Sequence, residues 1–82
     1  MHESGLVEQL IETMQQVARA NGGGAIRRAQ LGIGELAGFT RQHFEEHFRA
    51  ASAGTLADGA KLDLMTRPGD SLTLEALDLD QG

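Results

Sequence analysis

The hydrophobic period changes once across the run Asn21-Gly22-Gly23-Gly24, and that change restricts the folds open to this chain. Before it, Leu6, Val7, Leu10, Ile11, Met14, Val17 and Ala18 recur at three- and four-residue steps, with Gln9, Glu12, Gln15, Gln16 and Arg19 opposite. That spacing predicts an amphipathic helix, for which Ser4 is the N-cap candidate. The glycines end it, because glycine adopts the left-handed cap conformation that side chains resist. Beyond them Ala29, Leu31 and Ile33 alternate with Arg28, Gln30 and Gly32. A period of two predicts a strand with one buried face within 25–36. Gly32 and Gly34 lack side chains on its other face, so they permit either a bulge or the close approach of another backbone or helix.

Thr40 reads as the N-cap of a second helix, on which Phe44, Phe48 and Ala51 share a face and which Gly54 closes. Asp58-Gly59 marks a turn, and Leu62 and Leu64 alternate with Lys61, Asp63 and Met65 as a second strand. Pro68-Gly69 favours a tight turn. In a third strand Leu72 and Leu74 hold one phase and Leu77 and Leu79 the other, which predicts a bulge near Glu75-Ala76. The order α-β-α-β-β predicts an α+β fold: a small three-stranded mixed sheet with two helices packed on one face. The strand–helix–strand unit suits a right-handed crossover, and the last two strands are expected to pair as an antiparallel hairpin. The second face of such a sheet stays partly open, which leaves a surface for a partner, a second copy of the chain included.

Composition narrows the function. Eighty-two residues make one domain with a modest core, and Phe39, Phe44 and Phe48 are its only aromatic side chains. No cysteine is present, which excludes disulfides, thiolate zinc sites and iron–sulfur clusters and fits a reducing compartment such as the cytoplasm. Seven basic residues face twelve acidic ones, for a net charge of -5. An acidic surface repels phosphate backbones and argues against nucleic acid as a partner. No apolar run approaches the roughly 20 residues that span a bilayer, and no signal-peptide pattern opens the chain, so no membrane association is expected.

The extreme N-terminus, Met1-His2-Glu3, has the chemistry of a metal chelate. The α-amine of Met1 with the amide and imidazole nitrogens of His2 can close adjacent rings around one ion, and the Glu3 carboxylate is near enough in sequence to be a fourth ligand. Nitrogen-rich square-planar sites favour Ni(II) or Cu(II) over zinc. Binding requires loss of the amine proton, so affinity should rise with pH. Three residues are also short enough to arise by chance. His43-Phe44-Glu45-Glu46-His47 matches the H-x-x-E-H pattern of certain metallopeptidases, but a third ligand and a substrate cleft are missing. Polar residues flanking a Phe44 and Phe48 core stripe explain it better, with a weak auxiliary metal site as the other reading. Gly32-Ile33-Gly34 lacks the lysine and third glycine of phosphate loops. Nothing in the chain reads as catalytic machinery.

The opening Met1-His2-Glu3, the amphipathic helix, the segment Gly32-Ile33-Gly34-Glu35-Leu36-Ala37-Gly38 and the Phe-bearing second helix resemble the HypA/HybF hydrogenase nickel-insertion proteins. The run Gly69-Asp70-Ser71-Leu72-Thr73-Leu74 through Leu79 is similar to that family's last strand, so the resemblance covers essentially the whole chain. It implies a non-enzymatic metallochaperone that holds Ni(II) transiently through Met1, His2 and Glu3. It also implies delivery to a [NiFe]-hydrogenase large subunit, with a nickel-handling GTPase as a partner. Two departures stand out. The family's zinc domain, built on paired C-x-x-C motifs between the last two strands, is replaced here by the turn at 67–70, so no structural zinc is expected and 1–82 reads as a single nickel-binding domain. An acidic residue just before the second helix is implicated as a further nickel ligand in some members, and Thr40 stands there. The competing reading is an interaction module that docks on a hydrogenase or maturation partner without delivering metal.

Overall fold

A computed structural model describes residues 3–80, with side chains from residue 5 onward. Five elements follow in chain order: α1 (Glu3–Ala20), β1 (Ile26–Gly34), α2 (Arg41–Ser52), β2 (Lys61–Arg67) and β3 (Leu72–Leu79). The class is α+β, as the periodicities require. Val7, Leu10, Ile11, Met14 and Ala18 form the buried stripe of α1, and Phe44 and Phe48 that of α2. Both stripes meet Ile26, Ala29, Leu31 and Leu64 in one core. Phe39, on the loop before α2, packs edge-on against Phe44 with ring centroids 5.7 Å apart. Two arginines tie α2 to β2 and the residue ahead of it: Nη1 of Arg41 donates to the Leu64 carbonyl and Nη1 of Arg49 to the Ala60 carbonyl. α1 begins at Glu3, so Ser4 lies inside its first turn rather than capping it.

The strand order is β2-β1-β3, with β1 parallel to β2 and antiparallel to β3. The expected hairpin between the last two strands therefore does not form: β3 pairs with the far edge of β1. The reason lies in β1, whose apolar residues form the middle of the core. With β3 beside it, Leu31 lies between Leu64 and Leu74 and all three strands share one buried face. The turn chemistry at Pro68-Gly69 is compatible with a hairpin, but it serves instead to carry the chain across the end of β1.

That crossing needs a gap, and Gly34 supplies it. A Cβ on Gly34 would stand 2.5 Å from the Gly69 carbonyl oxygen and 2.8 Å from the Asp70 nitrogen. Of the two roles open to this glycine, close backbone approach is the one observed. Three backbone hydrogen bonds of 2.8 Å pin the connection: Gly34 N–H to Ser71 O, Glu35 N–H to Arg67 O and Leu36 N–H to Gly69 O.

Two bulges reconcile the β1–β3 ladder. Gln30 pairs with Ala76 and Leu31 with Leu74, so Glu75 is the extra residue on β3, where the phase slip predicts one. Ile26 pairs with Leu79 and Arg28 with Asp78, which makes Arg27 an extra residue on β1. One insertion on each strand restores the register. The bulge in β3 lets Leu72, Leu74, Leu77 and Leu79 all pack against the core despite their change of phase.

Candidate metal centre

The topology brings the start of α1, the end of β1 and the starts of α2 and β3 to one end of the molecule. Leu6, Gln9 and Leu10 of α1 line a cleft with Asp70, Ser71 and Leu72, while Val17 and Asn21 line another with Leu77 and Leu79. α1 thus runs in the direction of β3, and its N-terminus lies at the end where β3 begins. β1 finishes there, because Ile33 pairs with Leu72. α2 starts from the same end, following the loop that leaves Gly34. Val7 and Glu8 share a groove with His47, Ala50 and Ala51, so the two helices lie side by side.

Of the three predicted ligands, Met1 and His2 lie outside the described residues, and Glu3 contributes backbone only, as the first residue of α1. The first N–H groups of a helix have no intrahelical acceptor. A backbone nitrogen at this end can therefore give up its proton to solvent and bind a metal without breaking a helical hydrogen bond. The positive end of the helix dipole also favours the resulting anionic nitrogen and any carboxylate nearby. An amine, amide nitrogens and an imidazole ahead of α1 suit a square-planar ion.

Thr40 has a different job. Its extended backbone (φ -84°, ψ 157°) and its hydroxyl, which accepts the His43 N–H at 3.1 Å, make it the N-cap of α2. His43 is exposed and His47 half-buried beside Glu8, and among the described residues no three His, Asp or Glu side chains come close enough to hold a metal. The H-x-x-E-H segment lies on α2, with Phe44 facing the core between its polar positions and Phe48 just after them.

The open face of the sheet is polar. Arg28 pairs with Asp63, Nε to Oδ2, at 3.1 Å. Arg67 grips Glu75 with two hydrogen bonds, 2.9 Å from Nε and 2.7 Å from Nη2. These residues stand on β2 and β3, so the pair spans the central strand, and a Cβ on Gly32 would collide with both. The hydrogen bond and charge of Arg67 hold the Glu75 carboxyl below its ordinary value. Sequence reasoning finds neither this clasp nor the placement of Asp70 beside α1, because both depend on β3 crossing to the far side of β1. Knowing that Gly34 admits a crossing backbone is the one signal that could have revealed them.

The fold is a small α+β domain in which two helices cover one face of a three-stranded mixed sheet. Residues 1–72 match the profile of the HypA family, described as hydrogenase/urease nickel incorporation metallochaperones. The hydrogenase maturation factor HypA of Chlorobium limicola is 41% identical over 64 residues, which cover 78% of this chain and 55% of that protein. Its counterpart in Rhodobacter capsulatus is 37% identical over 71 residues, 87% of this chain and 63% of the relative. The chain thus spans less than two thirds of the length of these relatives. The solution structure of the nickel metallochaperone HypA from Helicobacter pylori has the same fold, with a TM-score of 0.82 at 19% identity over 96% of this chain and 97% of that one. The chain belongs to the HypA family.

Proposed function

We propose that this chain is a nickel-binding accessory protein for [NiFe]-hydrogenase maturation, a metallochaperone that holds Ni(II) transiently at Met1, His2 and Glu3. The observation that carries the reading is that the family match begins at residue 1 and includes the triplet. The start of α1 at Glu3 supports it, since the backbone nitrogens at this end are free of helical hydrogen bonds. Nickel is the cargo: the residues ahead of α1 bind it and the partner receives it. In this reading residues 1–82 act as one domain, and the turn at 67–70 stands in place of the zinc domain. That turn is well suited to the role, because its three hydrogen bonds to the end of β1 close the fold without an insertion. A hydrogenase large subunit or a nickel-handling GTPase is the partner class, a cytoplasmic setting is the natural one, and the protein performs no catalysis itself.

A second reading is favoured by Thr40. A neutral hydroxyl already used as a helix cap is a poor nickel ligand, so a domain that keeps the fold and only docks on a maturation partner is the alternative. Titration of the untagged protein with Ni(II) near neutral pH separates the two. Stoichiometric binding that disappears in His2→Ala supports the chaperone. Copurification with a partner, no nickel in the complex and unchanged behaviour of His2→Ala selects the docking module.

A further inference from the structure

We propose that the outer edge of β3 is a docking site for an extended segment of a partner protein, one that alternates apolar and basic residues and adds to the sheet as a further antiparallel strand. The hydrogen-bond phase of β3 shows which backbone groups are open to it. Gly34 N–H donates to Ser71 O and Asp80 N–H to Ala25 O, each at 2.8 Å, so Ser71 and Asp80 turn their backbone groups toward β1. Bonded and non-bonded pairs alternate along an antiparallel ladder, which aims the N–H and C=O of Leu72, Leu74, Leu77 and Leu79 at the outer edge. The phase is the same counted from either end of β3, with the Glu75 bulge absorbing the odd residue between.

The two edges of the sheet are guarded differently. β2 carries Lys61 and Arg67, and its Leu64 carbonyl accepts Nη1 of Arg41. β3 has no lysine, arginine or proline, the residues that keep an exposed edge from pairing. Nor does α1 cover it fully. Leu72, Leu74, Leu77 and Leu79 are half-buried, and they line clefts of 540 and 560 Å³ together with Val17 and Leu6 of α1. In an added antiparallel strand, the residues that hydrogen-bond to these leucines point their side chains to the same face, and so into the clefts.

Charge selects the occupant. Asp70, Glu75 and Asp78 line the clefts, and no cationic side chain does. Asp70 and Asp78 are exposed and make no ion pair among the described residues. A second copy of β3 laid along this edge would bring the same carboxylates to a chain of net charge -5, so self-pairing is disfavoured. A strand whose outward residues are lysine or arginine meets these carboxylates with opposite charge. Its apolar residues fill the clefts, while its main chain satisfies the open groups of β3.

The test uses the full chain and a synthetic peptide of about ten residues alternating valine and lysine, at physiological ionic strength. Saturable binding is expected, with hydrogen exchange at the Leu72, Leu74, Leu77 and Leu79 amides slowed at least about tenfold. The valine nitrogens of the peptide face β3 in this register. Methylating them should abolish binding, whereas methylating the lysine backbone nitrogens should leave affinity within about threefold. Val17→Lys and Asp78→Lys should each weaken binding at least about fivefold with the melting temperature unchanged, while Glu46→Lys on α2, matched in charge to Asp78→Lys, should not. Absence of saturable binding overturns the proposal. So does binding that survives methylation of the valines, or that Glu46→Lys weakens as much as Asp78→Lys. Slowed exchange of the same amides without peptide, growing with protein concentration, assigns the edge to a second copy and also overturns it. Nickel enters none of these measurements, so their failure leaves the metal reading standing.

Discussion

Gly34→Ala tests the strap that closes the end of β1. The new Cβ would stand 2.5 Å from Gly69 O, 2.7 Å from Gly69 C and 2.8 Å from Asp70 N. These are backbone atoms, so the strap itself must move. Forcing extra volume into a packed site costs about 1–3 kcal/mol. Displacing the strap also strains three hydrogen bonds, each worth about 1 kcal/mol net. The lower unfolded-state entropy of alanine offsets about 0.4–1 kcal/mol of this. We expect a net loss of about 2–4 kcal/mol, against a total of about 4–12 kcal/mol for a chain of this size. On the melting temperature this is a fall of roughly 8–30 °C. Urea denaturation followed by far-UV circular dichroism measures the change directly. Gly23→Ala is the control: it has nothing within 4 Å of its Cβ, and its φ of 78° carries only the left-handed penalty of about 1–2 kcal/mol. A Gly34→Ala loss below about 1 kcal/mol would refute the view that the connection is fixed by contact with β1.

Further outcomes follow from particular side chains. Thr40→Ala removes the cap of α2 and should cost about 1 kcal/mol in denaturant midpoint measurements, while Thr40→Asp keeps the cap and should tighten Ni(II) binding in the same titration. The carboxyl of Glu75 lies below its ordinary 4.5, chiefly through the hydrogen bond from Arg67. Its folded pKa is depressed, so its contribution is complete above the unfolded value and lost as pH falls through the folded one. The stability difference between the parent and Glu75→Gln should therefore be constant near neutrality and shrink on acidification below the ordinary glutamate range, read from melting temperatures across pH.

Much of this architecture was legible in the chain itself. α1, α2 and all three strands lie where hydrophobic period and turn residues put them, and the Glu75 bulge is visible as a phase slip between Leu74 and Leu77. The cap at Thr40 follows from a hydroxyl residue directly before a helical stripe. The partner of β3 was not legible, because a tight turn sequence is equally compatible with a hairpin and with a crossing connection. Only the packing distinguishes them: the central strand needs both edges filled, and Gly34 leaves room for the chain to pass. Burial of Ser52 among the core helices and the span of Arg67 to Glu75 were hidden for the same reason, since each depends on neighbours far away in sequence. For the metal site, residue chemistry and a family resemblance pointed to Met1, His2 and Glu3.

Nickel binding by the free N-terminus is the step on which the proposed function depends. The most direct test compares the chain beginning at Met1 with the same chain carrying one extra residue ahead of it, both titrated with Ni(II) and both checked for unchanged folding. With the α-amine as a ligand, the extension should abolish stoichiometric binding without altering the melting temperature. Equal nickel affinity in the two proteins would contradict it, and the site would have to be sought away from the N-terminus.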